Sequence, residues 1–271
     1  MPELPEVETT RRGIEPAIRD RTIVRVELRE RRLRWPVPRA LPSLLAGRRV
    51  EGVRRRAKYL LIDLDGGALI AHLGMSGSLR VLPAGTQTIA HDHYDLVLDS
   101  GRCLRYNDPR RFGSLLWTVR DPLRHRLLAG LGPEPFDPSL DAERLAAAAR
   151  GRRVTVKQFI MDQSVLVGVG NIYASESLFR AGVDPRRPAG RIGVERWTRI
   201  LDEVRAVLGE AIGQGGSTLR DYVNPDGAPG YFAQNLYVYE RAGEPCRRCG
   251  TAVRQRVQGQ RSTYYCPACQ R

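Results

Sequence analysis

Nowhere in the 271 residues does an apolar run approach the about 20 residues that a bilayer span requires, so no membrane helix is expected. The opening Met1-Pro2-Glu3-Leu4-Pro5-Glu6 is acidic and proline-bearing, where a secretory signal would be basic and then apolar. A cytoplasmic protein is expected. There is no low-complexity tract, and no internal repeat apart from two paired cysteine motifs, which excludes solenoids and long disordered tails. Acidic residues are in short supply: 30 Asp and Glu face 44 Lys and Arg, a formal charge of +14. An ordinary acidic metabolic enzyme is therefore not the default. A positive surface either is simply solvated or gathers phosphates, with a salt-dependent and sequence-blind affinity for nucleic acid. The basic clusters Arg29 to Arg34, Arg48 to Lys58, Arg105 to Arg111, Arg150 to Lys157 and Arg247 to Arg261 are spread along the chain. That spread fits a long nucleic-acid footprint better than one tail.

Cysteine is also scarce. Four of the five cysteines form Cys246-Arg-Arg-Cys249 and Cys266-Pro-Ala-Cys269, separated by sixteen residues within the last 26. Two Cys-x-x-Cys turns at this separation suit tetrahedral thiolate ligation of one structural Zn²⁺. Disulfides or a redox pair are the alternative, and disulfides suit an oxidising compartment. Cys103, in the alternating Cys103-Leu104-Arg105-Tyr106, reads as a small buried hydrophobe.

What is present in quantity is β pattern, then helix. From Arg21 to about Thr118 short runs rich in β-formers (Tyr59–Leu64, Ala68–Leu73, Tyr94–Leu98, Ser114–Thr118) are broken by Asp65-Gly66-Gly67, Pro83-Ala84-Gly85 and Asp99-Ser100-Gly101. A β-sandwich preceded by one helix from near Pro5 is predicted. Three prolines within Gly132–Pro138 mark a linker. Beyond it, Trp197, Ile200, Leu201, Val204, Val207, Leu208 and Ala211 recur at three and four, an amphipathic helix ended by Gly213 and Gly215-Gly216. Asp141–Ala149 reads as a helix capped by Asp141, and Leu219–Gly230 as a loop. The expected division is 1–131 (β-sandwich), 132–140 (linker), 141–235 (helical, with a loop at 215–230) and 236–271 (zinc module).

At the head of the chain, an α-amino group titrates well below lysine and is more often the free nucleophile at neutral pH. If Met1 is removed, Pro2 becomes a secondary amine able to form an iminium with a sugar aldehyde carbon, and Glu3 beside it could move protons. On spacing alone, Pro2 is more often an ordinary terminus, and Glu3 and Glu6 are more often the negative first turn of a helix.

Six segments, in this order, resemble the bacterial formamidopyrimidine-DNA glycosylase family: Met1–Thr9, Arg56–Leu60, His72–Gly77, Asp108–Gly113, Gly168–Glu176 and the four-cysteine tail. The resemblance covers essentially the whole chain. It implies an α+β multidomain fold: an N-terminal β-sandwich with a flanking helix, a helix-two-turn-helix domain and a C-terminal zinc-finger β-hairpin. It also implies a monomer that binds damaged double-stranded DNA in a cleft between its halves and excises oxidised purines, chiefly 8-oxoguanine opposite cytosine. Cleavage at the abasic site by β,δ-elimination follows.

Carried over by position, the resemblance makes Pro2 the Schiff-base nucleophile, Glu3 its acid/base partner and Glu6 a support. Lys58 takes the family position assigned to β-elimination and phosphate contact; alone, it would be a cation at a strand end. Asn171 follows Gly168-Val169-Gly170, where glycine allows close approach to a phosphate, although a helix-capping asparagine looks the same. Arg261, between the cysteine turns, takes the phosphate contact linked to δ-elimination. Met75, Arg110 and Phe112 match the residues that fill the gap left when a nucleotide is flipped out. His72, His91 and Arg153 fall where relatives touch DNA. Ser217, Thr218, Arg220 and Tyr222 lie in the segment that folds over the damaged base. The sister enzyme endonuclease VIII shares the proline and the hairpin but usually has Gly where this chain has Leu4, and lacks the Met75, Arg110 and Phe112 combination. A catalytically silent DNA-binding protein is the rival of another class.

Overall fold

The structure, a computed structural model, describes residues 2–217 and 232–271. The chain divides into two compact units, 1–129 with 214–233 and 130–213 with 234–271. In the first, α1 (Leu4–Ile18) is followed by β1 (Ile23–Leu28), α2 (Leu41–Leu45), β2 (Val50–Arg56), β3 (Tyr59–Leu64), β4 (Gly67–His72), β5 (Ser78–Pro83), β6 (Asp92–Leu98), β7 (Arg102–Asn107) and β8 (Ser114–Thr118). Two four-stranded antiparallel sheets result, ordered β1-β6-β7-β5 and β2-β3-β4-β8. Leu60, Ile62 and Leu69 from one sheet and Leu79, Leu96 and Leu104 from the other meet in one core. This is the expected sandwich.

α1 begins at Leu4 with Pro5 in its first turn, where a missing N–H costs nothing because no acceptor precedes it. Its buried Val7, Ile14 and Ile18 form one stripe on the sandwich core, each contributing roughly 1.5–3 kcal/mol by burial. Ile14→Asp would place a charge there and detach the helix. β6 is buried along its whole length although it carries Asp92 and Asp95. Arg105, itself 2% exposed, donates to both oxygens of Asp95 at 2.9 and 2.7 Å, to Asp92 Oδ2 at 3.3 Å and to the carbonyls of Thr86 and Gln87. The burial cost of the Asp95 carboxylate is thereby outweighed by Arg105 and Arg29, which hold its pKa below the ordinary value.

The second unit contains α3 (Ala142–Ala149), α4 (Val156–Ile160), α5 (Asn171–Arg180), α6 (Val194–Gly213) and the hairpin β9 (Arg254–Gln258) to β10 (Arg261–Tyr265). All seven periodic residues predicted for α6 are buried, and the helix stops at Gly213. Asp141 caps α3 by accepting from the N–H of Arg144 at 2.7 Å. α5 is a helix that periodicity does not reveal: Ile172 to Phe179 are all buried, so no polar face marks the turn. Among the described residues, no helix is long and apolar enough to cross a membrane.

These units cut the chain differently from the four-part division expected from sequence. The proline-rich 132–140 is pinned within the second unit. Arg205 of α6 donates to the carbonyls of Pro135, Asp137 and Leu140 at 2.8, 3.3 and 2.7 Å, and Val167 N–H donates to Pro133 O at 3.1 Å. Residues 214–233, expected with the helical domain, group with the sandwich, where Glu6 holds Ser217.

Candidate active site and nucleic-acid interface

Pro2 is buried at the entry to α1, followed by buried Glu3 and Glu6. Glu3 is the N-cap and Glu6 the third helical residue, the two ends of a capping box. One Glu6 oxygen accepts from Glu3 N–H at 2.8 Å, and the other accepts from the N–H and hydroxyl of Ser217 at 2.8 and 3.1 Å. Gly216 makes this approach possible: its φ is +83°, and a Cβ there would lie 3.0 Å from the same carboxylate oxygen. Phe232 N–H donates to Gly216 O at 3.1 Å. Thr218, Arg220 and Tyr222 lie outside the described residues.

The chain has only two lysines, Lys58 and Lys157, and both are buried. Lys58 sits in the tight turn between β2 and β3, after Ala57 in the left-handed region at φ 54°. Arg55 fixes that turn, donating to Ala57 O at 3.0 Å and to Glu8 of α1 at 3.2 Å. His72, at the end of β4, faces Tyr59 at 4.8 Å between ring centroids. Its Nδ1 accepts from Gly74 N–H at 2.9 Å, which leaves Nε2 as the protonated nitrogen of a neutral ring. Burial, with the positive charges of Lys58 and Arg34, pushes its pKa down to about 4.

Met75 and Phe112 are 36% and 44% exposed, Met75 on the loop between β4 and β5 and Phe112 on the loop between β7 and β8. The Arg110 guanidinium lies 4.9 Å over the Phe112 ring. Beneath them Asp108 is fully buried; it accepts from Ser76, Arg110 N–H, Gly113 N–H and Tyr106, a network the sequence did not signal. His91 is exposed at φ 71°, and its carbonyl accepts from Asp108 N–H at 3.1 Å. Thus Pro2, Glu3, Glu6, Lys58, His72, Met75, His91, Arg110, Phe112 and Ser217 belong to the first unit, while Arg153, Asn171, Arg261 and the four zinc-module cysteines belong to the second.

In the second unit Asn171 opens α5, with Gly170 as the N-cap. Its side chain is fixed at both ends: Oδ1 accepts from Lys157 Nζ at 2.6 Å and Nδ2 donates to Ser262 O at 3.0 Å. Lys157 Nζ also donates to Ser262 O and Thr263 Oγ1, each at 2.9 Å, so all three of its protons are spent. That contact joins α4, α5 and β10. The sequence placed Lys157 only in a basic cluster, because two of its three acceptors arrive from a strand more than a hundred residues away. Gly259 and Gln260 both have positive φ, the two-residue turn that suits a hairpin's twist, and Arg261 follows, exposed. Arg153 is likewise exposed.

Below the hairpin, the Cys246, Cys249, Cys266 and Cys269 sulfurs all lie within 4.8 Å of one another, with Cys246–Cys269 at 3.9 Å and Cys249–Cys266 at 3.5 Å. Four thiolates about 2.3 Å from a tetrahedral Zn²⁺ stand about 3.8 Å apart, so the set fits one zinc ion. The module is held by Glu176 of α5, fully buried, whose carboxylate accepts from the N–H groups of Tyr237, Val238 and Tyr239 at 2.8, 2.9 and 2.9 Å. Burial raises the pKa of Glu176 against those donors.

The chain matches three family models in order: the Formamidopyrimidine-DNA glycosylase N-terminal domain over residues 1–115, the Formamidopyrimidine-DNA glycosylase H2TH domain over 131–223, and the zinc finger found in FPG and IleRS over 243–271. It is 59% identical to the formamidopyrimidine-DNA glycosylase of Alkalilimnicola ehrlichii and 60% identical to that of Methylococcus capsulatus, with all of each chain covered. Among solved structures, MutM (Fpg) of Thermus thermophilus superposes with a TM-score of 0.89 at 42% identity, covering 99% of this chain and 98% of that one. Lactococcus lactis Fpg, bound to DNA containing an abasic site, gives 0.91 at 32% identity with 99% of both chains covered. The chain belongs to the formamidopyrimidine-DNA glycosylase family.

Proposed function

We propose that the protein is a base-excision repair enzyme, a bifunctional glycosylase and abasic-site lyase acting as a monomer on damaged double-stranded DNA. Its preferred lesions are oxidised purines such as 8-oxoguanine opposite cytosine and formamidopyrimidines. The observation that carries the reading is the head of α1, where Pro2 precedes a buried Glu3 and Glu6 tied to Ser217. Once Met1 is removed, the Pro2 amine attacks the sugar carbon; an N–C bond forms as the glycosidic bond breaks and the base leaves protonated. Glu3 exchanges the protons of sugar ring opening. The resulting iminium acidifies the neighbouring carbon, whose proton loss expels the 3′ phosphate; a second elimination expels the 5′ phosphate, and water returns Pro2 to the free amine.

Glu6 supports this centre by tying Ser217 to the head of α1. Lys58 serves elimination and phosphate contact, Asn171 and Arg261 grip phosphates, and His72 does so as a neutral donor. Met75, Arg110 and Phe112 fill the gap left by the flipped nucleotide, while His91 and Arg153 touch DNA. Zinc supplies rigidity to the hairpin, and no chemical step passes through it. The charge of +14 supports a place on the nucleoid of a bacterial cytoplasm.

The test is incubation with a duplex carrying 8-oxoguanine opposite cytosine, with and without borohydride. Base release, strand nicking and a trapped adduct are expected. Binding without any of the three would leave a silent DNA-binding protein, and preference for oxidised pyrimidines would favour the endonuclease VIII reading.

A further inference from the structure

We propose that Asp108 is a positioning residue whose carboxylate locks loop 73–77 to loop 108–113, so that Met75, Arg110 and Phe112 enter the duplex as one rigid wedge. The inference rests on the gap-filling reading of those three residues. Asp108 is 0% exposed, and both of its oxygens are used twice. Oδ1 accepts from Ser76 Oγ at 2.8 Å, across the gap between loops, and from Arg110 N–H at 3.2 Å within its own loop. Oδ2 accepts from Gly113 N–H at 2.9 Å and from the Tyr106 hydroxyl at 3.0 Å, which seats loop 108–113 on β7. An ionised carboxylate offers about four lone-pair sites, and here each faces a donor. Its main chain is held too, with the carbonyl 2.7 Å from His93 Nε2.

The loops also interlock through glycine. A Cβ on Gly74 would lie 2.5 Å from Gly113 N, and one on Gly113 would lie 1.7 Å from the Tyr106 hydroxyl and 2.6 Å from His72 O. Neither loop can shift without moving the other, yet the three tips point outward from this fixed base. Inserting side chains into a base stack costs free energy, and a base already ordered adds no further ordering cost at the moment of insertion. Asp108 thereby acts on the reaction through the wedge, without touching the sugar.

Asp108→Asn turns one twice-used acceptor into a donor facing donors. Its single-turnover excision of 8-oxoguanine opposite cytosine should fall by about ten- to a hundredfold, the loss expected from a misplacement near 1 Å. The preference for cytosine over adenine opposite the lesion should fall to that of Arg110→Ala. Nicking of a preformed abasic site in single-stranded DNA, where there is no stack to enter, should stay within about twofold of the parent. Added to a Met75→Ala, Arg110→Ala, Phe112→Ala protein, Asp108→Asn should cause no further loss, because its effect runs through groups already removed. If Asp108→Asn does not fold, Ser76→Ala removes only the cross-loop donor and carries the same cycle. A triple-alanine protein with parental rate and opposite-base ratio would overturn the gap-filling reading and the proposal with it. An impaired triple-alanine protein, combined with a parental or fully additive Asp108→Asn or Ser76→Ala, would overturn the proposal alone.

Discussion

His72 shows at the scale of one residue how position in the fold alters chemistry. Its folded pKa near 4 lies below the ordinary value of 6.5, so between these pH values the unfolded chain binds a proton that the folded one does not. Stability contributed by the neutral ring is complete above about pH 6.5 and lost as pH falls towards 4. His72→Gln should flatten that part of the stability profile by up to roughly 3 kcal/mol, read from urea melts at pH 7 and pH 4.5. An unchanged profile would show that His72 titrates normally. At the head of α1, Pro2→Gly should sharply reduce excision and borohydride trapping while binding to damaged duplex survives, since affinity comes mainly from phosphates. Parallel loss of binding in mobility-shift assays would contradict that separation.

At the scale of elements, legibility followed exposure. α6 was readable because one face is buried and the other wet, which stamps a three-and-four period on its sequence. α5, buried around its circumference, carries no such stamp, and neither does the contact of Lys157 with Asn171 and β10. Asp108 sat in a recognised segment, but its role depends on a loop more than thirty residues earlier, which spacing cannot show. The cysteines were legible because tetrahedral ligation imposes its own short spacing.

The zinc module shares its apolar cluster with Phe179 of α5, whereas the sandwich has a core of its own. Chelation or Cys249→Ala should therefore raise hydrogen exchange in β9, β10 and residues 237–239 and weaken DNA binding, while β3 and β4 stay protected. Equal loss of protection in the sandwich would contradict this. Glu176→Ala would remove the carboxylate that accepts from three successive backbone N–H groups, that of Val238 buried, and should cost roughly 1–3 kcal/mol, measured by denaturant unfolding.

For the whole molecule, charge and chemistry separate. A surface of +14 should bind undamaged duplex in a steeply salt-dependent way, losing on the order of a thousandfold in affinity between 50 and 200 mM salt if about six phosphates are engaged. Fluorescence anisotropy across that range checks it, and a flat response would remove nucleic acid as the reason for the charge. The chemistry is confined by a scarcity: besides the chain's own amino end, only Lys58 and Lys157 offer amines, and Lys157 has donated all three protons to fixed acceptors. The most direct measurement is therefore to trap the protein on a duplex carrying 8-oxoguanine opposite cytosine with borohydride, digest the adduct and locate the modified residue by mass spectrometry. The account predicts a single modified peptide that begins at Pro2, with Met1 gone. An adduct on Lys58 or Lys157, or full trapping by protein that retains Met1, would contradict it.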